Sequence, residues 1–175
     1  MLMRIALALL VAIVLLLGYA TSKPDDFRVE RSTRIAAPPE KIYPLISDLK
    51  GFNSWNPWEK KDPGKGRYGT GNTAGLGASY AWDSDKLGAG RMTIVEAVPS
   101  RQVTMRLEFI KPMAATNSAV FALVPEGDAT RVTWSMSGKS DLMSKVIQLF
   151  VSMDRMVGDD FTAGLASLKA LAEAR

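Results

Sequence analysis

The sequence predicts an α+β domain in which a meander of antiparallel strands is closed by one long C-terminal helix, set behind an apolar N-terminal helix. Three observations predict it. Residues Ile5 to Ala20 run without a charge. Between Ala78 and Ser137, five segments alternate apolar and polar residues and are divided by short, turn-rich connectors. From Ser140 onward, apolar residues recur at spacings of three and four, the period of an amphipathic helix.

The N-terminal run is membrane-directed. Its sixteen residues make a helix of about 24 Å, short of a roughly 30 Å hydrocarbon core but able to span it with Arg4 and Lys23 snorkelling and Tyr19 at an interface. An uncleaved anchor is the expectation. Gly18-Tyr19-Ala20 also offers the small residues of a signal-peptidase site, which makes a cleaved signal the rival. Arg4 and the free amine precede the run, whereas Lys23 and Arg28 after it are offset by Asp25 and Asp26. That asymmetry favours a cytoplasmic N-terminus and a folded domain outside, in the periplasm where there is one. The expected division is residues 1–22 as anchor or signal and 23–175 as the domain.

In the first strand, Phe27, Val29, Thr33 and Ile35 alternate with polar positions, and Pro38-Pro39 ends it. Arg31 shares the apolar phase. A charge there needs a partner; Asp154 or Asp160 would make a structural ion pair, and an anionic ligand headgroup is the alternative. A helix follows from Pro39 to near Gly51, with Ile42, Leu45, Ile46 and Leu49 on one stripe. The next stretch, Phe52 to Pro63, sets Trp55 and Trp58 three residues apart in a polar, Pro-broken context that predicts a loop. Burying one indole is worth on the order of 5 kcal/mol. The loop is therefore expected either to plug a core or to cover a cavity.

Between Gly64 and Gly77, six of fourteen residues are glycine, but Gly69, Gly71 and Ala74 miss the dinucleotide fingerprint and no Gly-Lys-Ser/Thr occurs. A flexible turn or weak edge strand is expected. The five strands that follow are Ala78 to Trp82, Gly90 to Ala97, Gln102 to Ile110, Ser118 to Val124 and Thr130 to Ser137. Their apolar faces read Ala78/Tyr80/Trp82, Met92/Ile94, Val103/Met105/Leu107/Phe109, Ala119/Phe121/Leu123 and Val132/Trp134/Met136. The last helix is expected to run unbroken to the C-terminus, capped by Ser140 or Asp141 and bearing Phe161, Leu165 and Leu168 on its apolar stripe. Gly158 and Gly164 each cost about 1 kcal/mol in a helix interior, which predicts close packing, a bend, or room left for something else there.

Composition excludes several chemistries. With no histidine and no cysteine, the chain lacks thiol nucleophiles, Ser-His-Asp relays and the usual iron–sulfur, zinc, copper and haem ligand sets, so no metal or cofactor is expected. The 22 basic and 18 acidic residues are scattered, and without a basic run no nucleic-acid partner is expected.

Strand, helix, meander and long final helix is the order of the helix-grip fold. The chain resembles the START-like SRPBCC superfamily, specifically its membrane-anchored bacterial polyketide cyclase/dehydrase-like proteins. Matching pieces include Phe27-x-Val29-x-Arg31-Ser32, Trp55-Asn56-Pro57-Trp58-Glu59 with Asp62-Pro63, Gly75-x-Gly77-Ala78-x-Tyr80-x-Trp82, and Phe109-x-Lys111-Pro112. Val132-Thr133-Trp134-x-Met136-x-Gly138 and Met153-Asp154-x-Met156-x-Gly158-x-Asp160-Phe161 extend it, over roughly residues 26 to 173. Where such proteins carry Gly-Asn after the second-strand tryptophan, this chain has Asp83-Ser84-Asp85. The resemblance implies a cavity between sheet and helix that takes an apolar ligand, and a single-pass protein of the inner (cytoplasmic) membrane.

The expected function is therefore membrane-tethered binding of a lipid or polyketide-like small molecule. A cyclase- or dehydratase-type enzyme acting in the same cavity and a structural or interaction module with a filled interior are the alternatives. Binding is preferred to catalysis, because acid and base would have to come from Tyr80, Asp83, Glu59, Arg31, Asp154 or Asp160, and none forms a convincing pair in sequence. The expected pocket residues are Arg31, Trp55, Trp58, Tyr80, Trp82, Met92, Met105, Phe109, Phe121, Trp134, Met136, Phe161 and Leu165. The Met and aromatic concentration on one sheet face is suited to adaptable apolar contact.

Overall fold

A computed structural model describes residues 1–174. Helix α1 (Leu2–Thr21) is followed by strand β1 (Asp26–Ile35) and three short helices, α2 (Pro39–Ser47), α3 (Leu49–Trp55) and α4 (Pro57–Lys61). Strands β2 (Gly66–Tyr68), β3 (Ser79–Ser84), β4 (Gly88–Val98), β5 (Gln102–Lys111), β6 (Ala115–Glu126) and β7 (Ala129–Lys139) come next. Helices α5 (Leu142–Gln148) and α6 (Met153–Glu173) close the chain. The strands form one antiparallel seven-stranded sheet in the order β1-β7-β6-β5-β4-β3-β2. The first strand thus joins the last, and α6 lies against the inner face in an α+β helix-grip arrangement.

The apolar phases of the sequence meet on that face. Trp134 lies opposite Phe121, and Phe121 opposite Val103, while Met105 faces Ala119 and Ile94. Shifts of register between Ala89 and Gly90 and between Ile94 and Glu96 mark bulges in β4, which sharpen the bend of the sheet around α6.

Three expectations about helices and loops are corrected. The predicted helix from Pro39 stops at Ser47, because Asp48 turns extended and pairs with Ala74 from the glycine-rich stretch. Asp48 then caps α3 by accepting from the Lys50 amide at 3.0 Å. The tryptophan segment is not a loop. Asn56 accepts from the Trp58 amide at 3.1 Å and starts α4, with Pro57 in its first turn. The C-terminal helix is likewise in two parts. Ser152 is extended, and its hydroxyl caps α6 at the Arg155 amide. The apolar period runs through this break, which is why spacing alone did not reveal it.

Among the described residues one helix, α1, is long and apolar enough, over Met3–Thr21, to be a membrane span or a signal sequence, and few residues of that stretch are buried.

Candidate functional site

Between the inner face of the sheet, α4 and the first half of α6 lies a cavity of about 220 Å³. Its deep wall is Met92, Met105, Phe121, Trp134, Met136 and Phe161, all buried. Aromatic packing shapes that wall. The Trp134 ring stacks on Phe161 at 4.1 Å with only 7° between planes, and Trp58 stands edge-on to both. The Trp134 indole N–H is buried without an acceptor. Trp55 and Trp58 each stand edge-on to the Trp134 ring, with centroids 5.7 Å away.

A polar strip crosses one side. The Tyr80 hydroxyl donates to Glu59 at 2.6 Å, and the other Glu59 oxygen accepts from the Gly64 amide at 3.0 Å. Burial, and then this hydrogen bond to a carboxylate, push the Tyr80 phenol well above its ordinary value near 10. Next to it the Ser84 hydroxyl donates to Asp62 at 2.5 Å while accepting from the Lys86 and Leu87 amides. Asp83-Ser84-Asp85 therefore gives this chain a hairpin start tied to the cavity wall. The lining passes from these buried groups to the half-exposed Leu87, Phe109, Asp62 and Val157, where the cavity reaches the surface.

Two glycines make room for this wall. A side chain at Gly66 would fall 1.9 Å from the Tyr80 ring, so only glycine lets that phenol reach Glu59 across β2. At Gly90 a Cβ would fall 2.5 Å from Trp82, whose ring lies over the glycine and packs edge-on to Phe109 at 5.9 Å.

A family model described as polyketide cyclase / dehydrase and lipid transport matches residues 26–173. The chain belongs to that family. The family implies binding of a hydrophobic small molecule or lipid. No curated protein matches the chain. Solved structures share the fold. Protein MLL2253 from Mesorhizobium loti superposes with a TM-score of 0.60 at 14% identity, over 83% of this chain and 96% of that one. CV1439 from Chromobacterium violaceum gives 0.58 at 18%, over 87% and 100%. The Aha1 dimer from Colwellia psychrerythraea gives 0.61 at 17%, over 84% and 96%.

In this family member the cavity gathers Trp58, Tyr80, Trp82, Met92, Met105, Phe109, Phe121, Trp134, Met136 and Phe161. Three expected pocket residues do not reach it. Trp55 is fully buried, with its indole N–H donated to the Leu45 carbonyl at 2.8 Å and its ring edge-on to Phe52, Phe121 and Trp134. Leu165 is buried in the core one turn beyond Phe161 on α6. Arg31 reaches across α6 to Asp154 in a bidentate pair at 2.8 and 2.9 Å, leaving Asp160 to Lys61 at 2.7 Å. The pair holds the Asp154 carboxyl below its ordinary value. Sequence reasoning did not include Asn56, Asp62, Ser84, Leu87 or Val157, which also line the cavity. Asn56 and Glu59 flank Trp58 at helical spacing, a signal hidden by reading the segment as a loop.

Proposed function

We propose that the chain is a membrane-tethered binding protein that holds a lipid or polyketide-like molecule in this cavity. The observation that carries the reading is the cavity itself. It far exceeds the roughly 10–15 Å³ that one water needs. Its wall is almost wholly apolar, so water that enters finds few hydrogen-bond partners there, and an apolar ligand that displaces that water buries the wall favourably. A filled structural module would have no such space, whereas a binding protein requires it. The polar strip at Glu59, Asp62 and Lys65 gives a ligand's head group both acceptors and a cation, while Met92, Met105 and Phe121 take its apolar body.

Tethering is supported by α1, with residues 1–22 as a retained anchor, residues 23–175 as the binding domain, and Arg4 on the cytoplasmic side of the inner membrane. Intact mass of the protein extracted from membranes checks it; a chain beginning at Thr21 means a cleaved signal.

Binding is tested by titrating the delipidated full chain with a fluorescent fatty acid while following tryptophan emission. Trp58, Trp82 and Trp134 line the cavity and Trp55 does not, so Trp55→Phe leaves the response, whereas Trp58→Phe, Trp82→Phe and Trp134→Phe each take away a share of it. The absence of saturable binding overturns the reading. One observation favours an enzyme instead: Glu59 and Tyr80 form a carboxylate–phenol pair at the wall. Loss of turnover in Tyr80→Phe, with ligand affinity kept, would establish that alternative.

A further inference from the structure

Helix α5 is inside out. Its charged residue Lys145 is only 7% exposed, whereas Phe150 just beyond it is 72% exposed and Met143 58%. Ile147 and Val151 are exposed as well. Lys145 is turned inward by an ion pair with Asp25, the Ser140 amide is bonded to the Asp25 carbonyl, and Gln148 is bonded to Ser140. These contacts pin α5 to the short link between α1 and β1, and α5 packs directly against α1. Any surface that receives α1 therefore also meets α5.

The topology brings the cavity mouth to the same end. Strand β1 begins there at Asp26, β7 ends there at Lys139, and the β5–β6 and β3–β4 hairpins turn there. The two hairpins touch, since Gly88 lies against the Lys111 carbonyl. Helix α6 also starts at this end, its Asp154 near the middle of β1 and its Glu173 bonded to the Ala36 amide beyond the far end of that strand. The half-exposed lining residues Leu87, Phe109 and Val157 belong to these elements, and Ile110 and Met113 are exposed at the β5–β6 tip. At this end Lys145 pairs with Asp25, Lys139 with Asp26 and Lys111 with Asp83, while Asp85, Lys86 and Arg155 are exposed outside any ion pair among the described residues.

We propose that α5 and the β5–β6 tip insert shallowly into the surface of the bilayer that holds α1, setting the cavity mouth against the lipid from which its ligand is drawn. The inference rests on the tethered reading above. An apolar helix face at the foot of a membrane helix has its solvent supplied by that membrane. Because the side chains that α5 and the β5–β6 tip expose are mainly apolar, Met143, Phe150, Ile110 and Met113 among them, the contact is apolar and needs no anionic lipid.

The chain has no cysteine, so single labels are clean. The full chain is reconstituted in phosphatidylcholine vesicles with an environment-sensitive fluorophore at Phe150→Cys, Met143→Cys or Met113→Cys. Val124→Cys, exposed near the β6–β7 turn at the other end, and Leu10→Cys, within α1, are the references. The expected result is several-fold stronger quenching by lipid-borne nitroxide at residues 150, 143 and 113 than at 124. It persists when salt rises from about 0.1 to about 1 M, which shortens the Debye length from about 10 to about 3 Å. If Leu10→Cys is quenched but Phe150→Cys behaves like Val124→Cys, docking is wrong and the anchor stands. If Leu10→Cys is not quenched, both fail. Label at residue 150 that is shielded from water yet unquenched by lipid assigns the face to a protein partner or a second copy and overturns the proposal, as does loss of quenching at high salt.

Discussion

Tyr80 brings its hydroxyl to Glu59 only because Gly66 carries no side chain in its path. Gly66→Ala is therefore expected to act like Tyr80→Phe, each losing a buried hydrogen bond to a carboxylate worth about 1–3 kcal/mol, measured as a shift in urea midpoint. The same contact sets an alkaline limit. Tyr80 has a folded-state value raised above 10, so its contribution is complete below about pH 10 and is lost as pH rises further; Tyr80→Phe flattens that limb. Arg31 sets the opposite limit. Asp154 is depressed in the folded state, so the stability it adds is full at neutral pH and is lost as pH falls below about 4. Arg31→Met is expected to flatten the acid limb of stability against pH and to leave fatty-acid binding unchanged, since Arg31 lies outside the cavity. Weakened binding in that variant would return Arg31 to the ligand.

At the scale of the element, the two glycines of α6 differ. A Cβ at Gly164 would fall 2.8 Å from Trp134 and 3.1 Å from Pro57, both held by a packed core. Gly164→Ala gains about 1 kcal/mol of helix propensity but pays overpacking of about 1–3 kcal/mol, so net destabilisation is expected by thermal or urea unfolding. At Gly158 the clash is with the Arg31 guanidinium, at the end of a flexible chain that is partly exposed. Gly158→Ala is expected to be near neutral or stabilising at pH 7 while losing the acid-limb slope described for Arg31. Helix α5 shows the reverse logic: Leu142, Met143 and Ile147 stay exposed, and its position comes from Asp25 and α1 rather than from the core.

Across the whole molecule, the sheet grips α6 at one end and leaves space at the other. Ala119 lies on the cavity wall, buried on β6 opposite Met105. Ala119→Phe projects a ring into that space. Fatty-acid binding is expected to be lost while the urea midpoint holds or rises, because the ring fills a void instead of displacing packed atoms. A fall in stability like that of an ordinary core overpacking would mean that no usable cavity exists there.

The sequence by itself determined the fold class, the strand faces and the apolar N-terminal helix, because each rests on a local period or an uninterrupted run that a short window records. It also narrowed Arg31 to two acidic partners, since a charge in an apolar phase demands one. What only the tertiary structure decided depends on contacts between distant segments. The apolar period passed straight through the breaks at Asp48 and Ser152, where side-chain caps and pairing with Ala74 set the ends of helices. Trp55 and Trp58 share one short motif, yet one indole finds the Leu45 carbonyl and fills the core while the other faces the cavity. Gly66 looked like one glycine among many until Tyr80 occupied its missing side chain. The cavity is a volume left between elements, and no residue of the sequence specifies it alone.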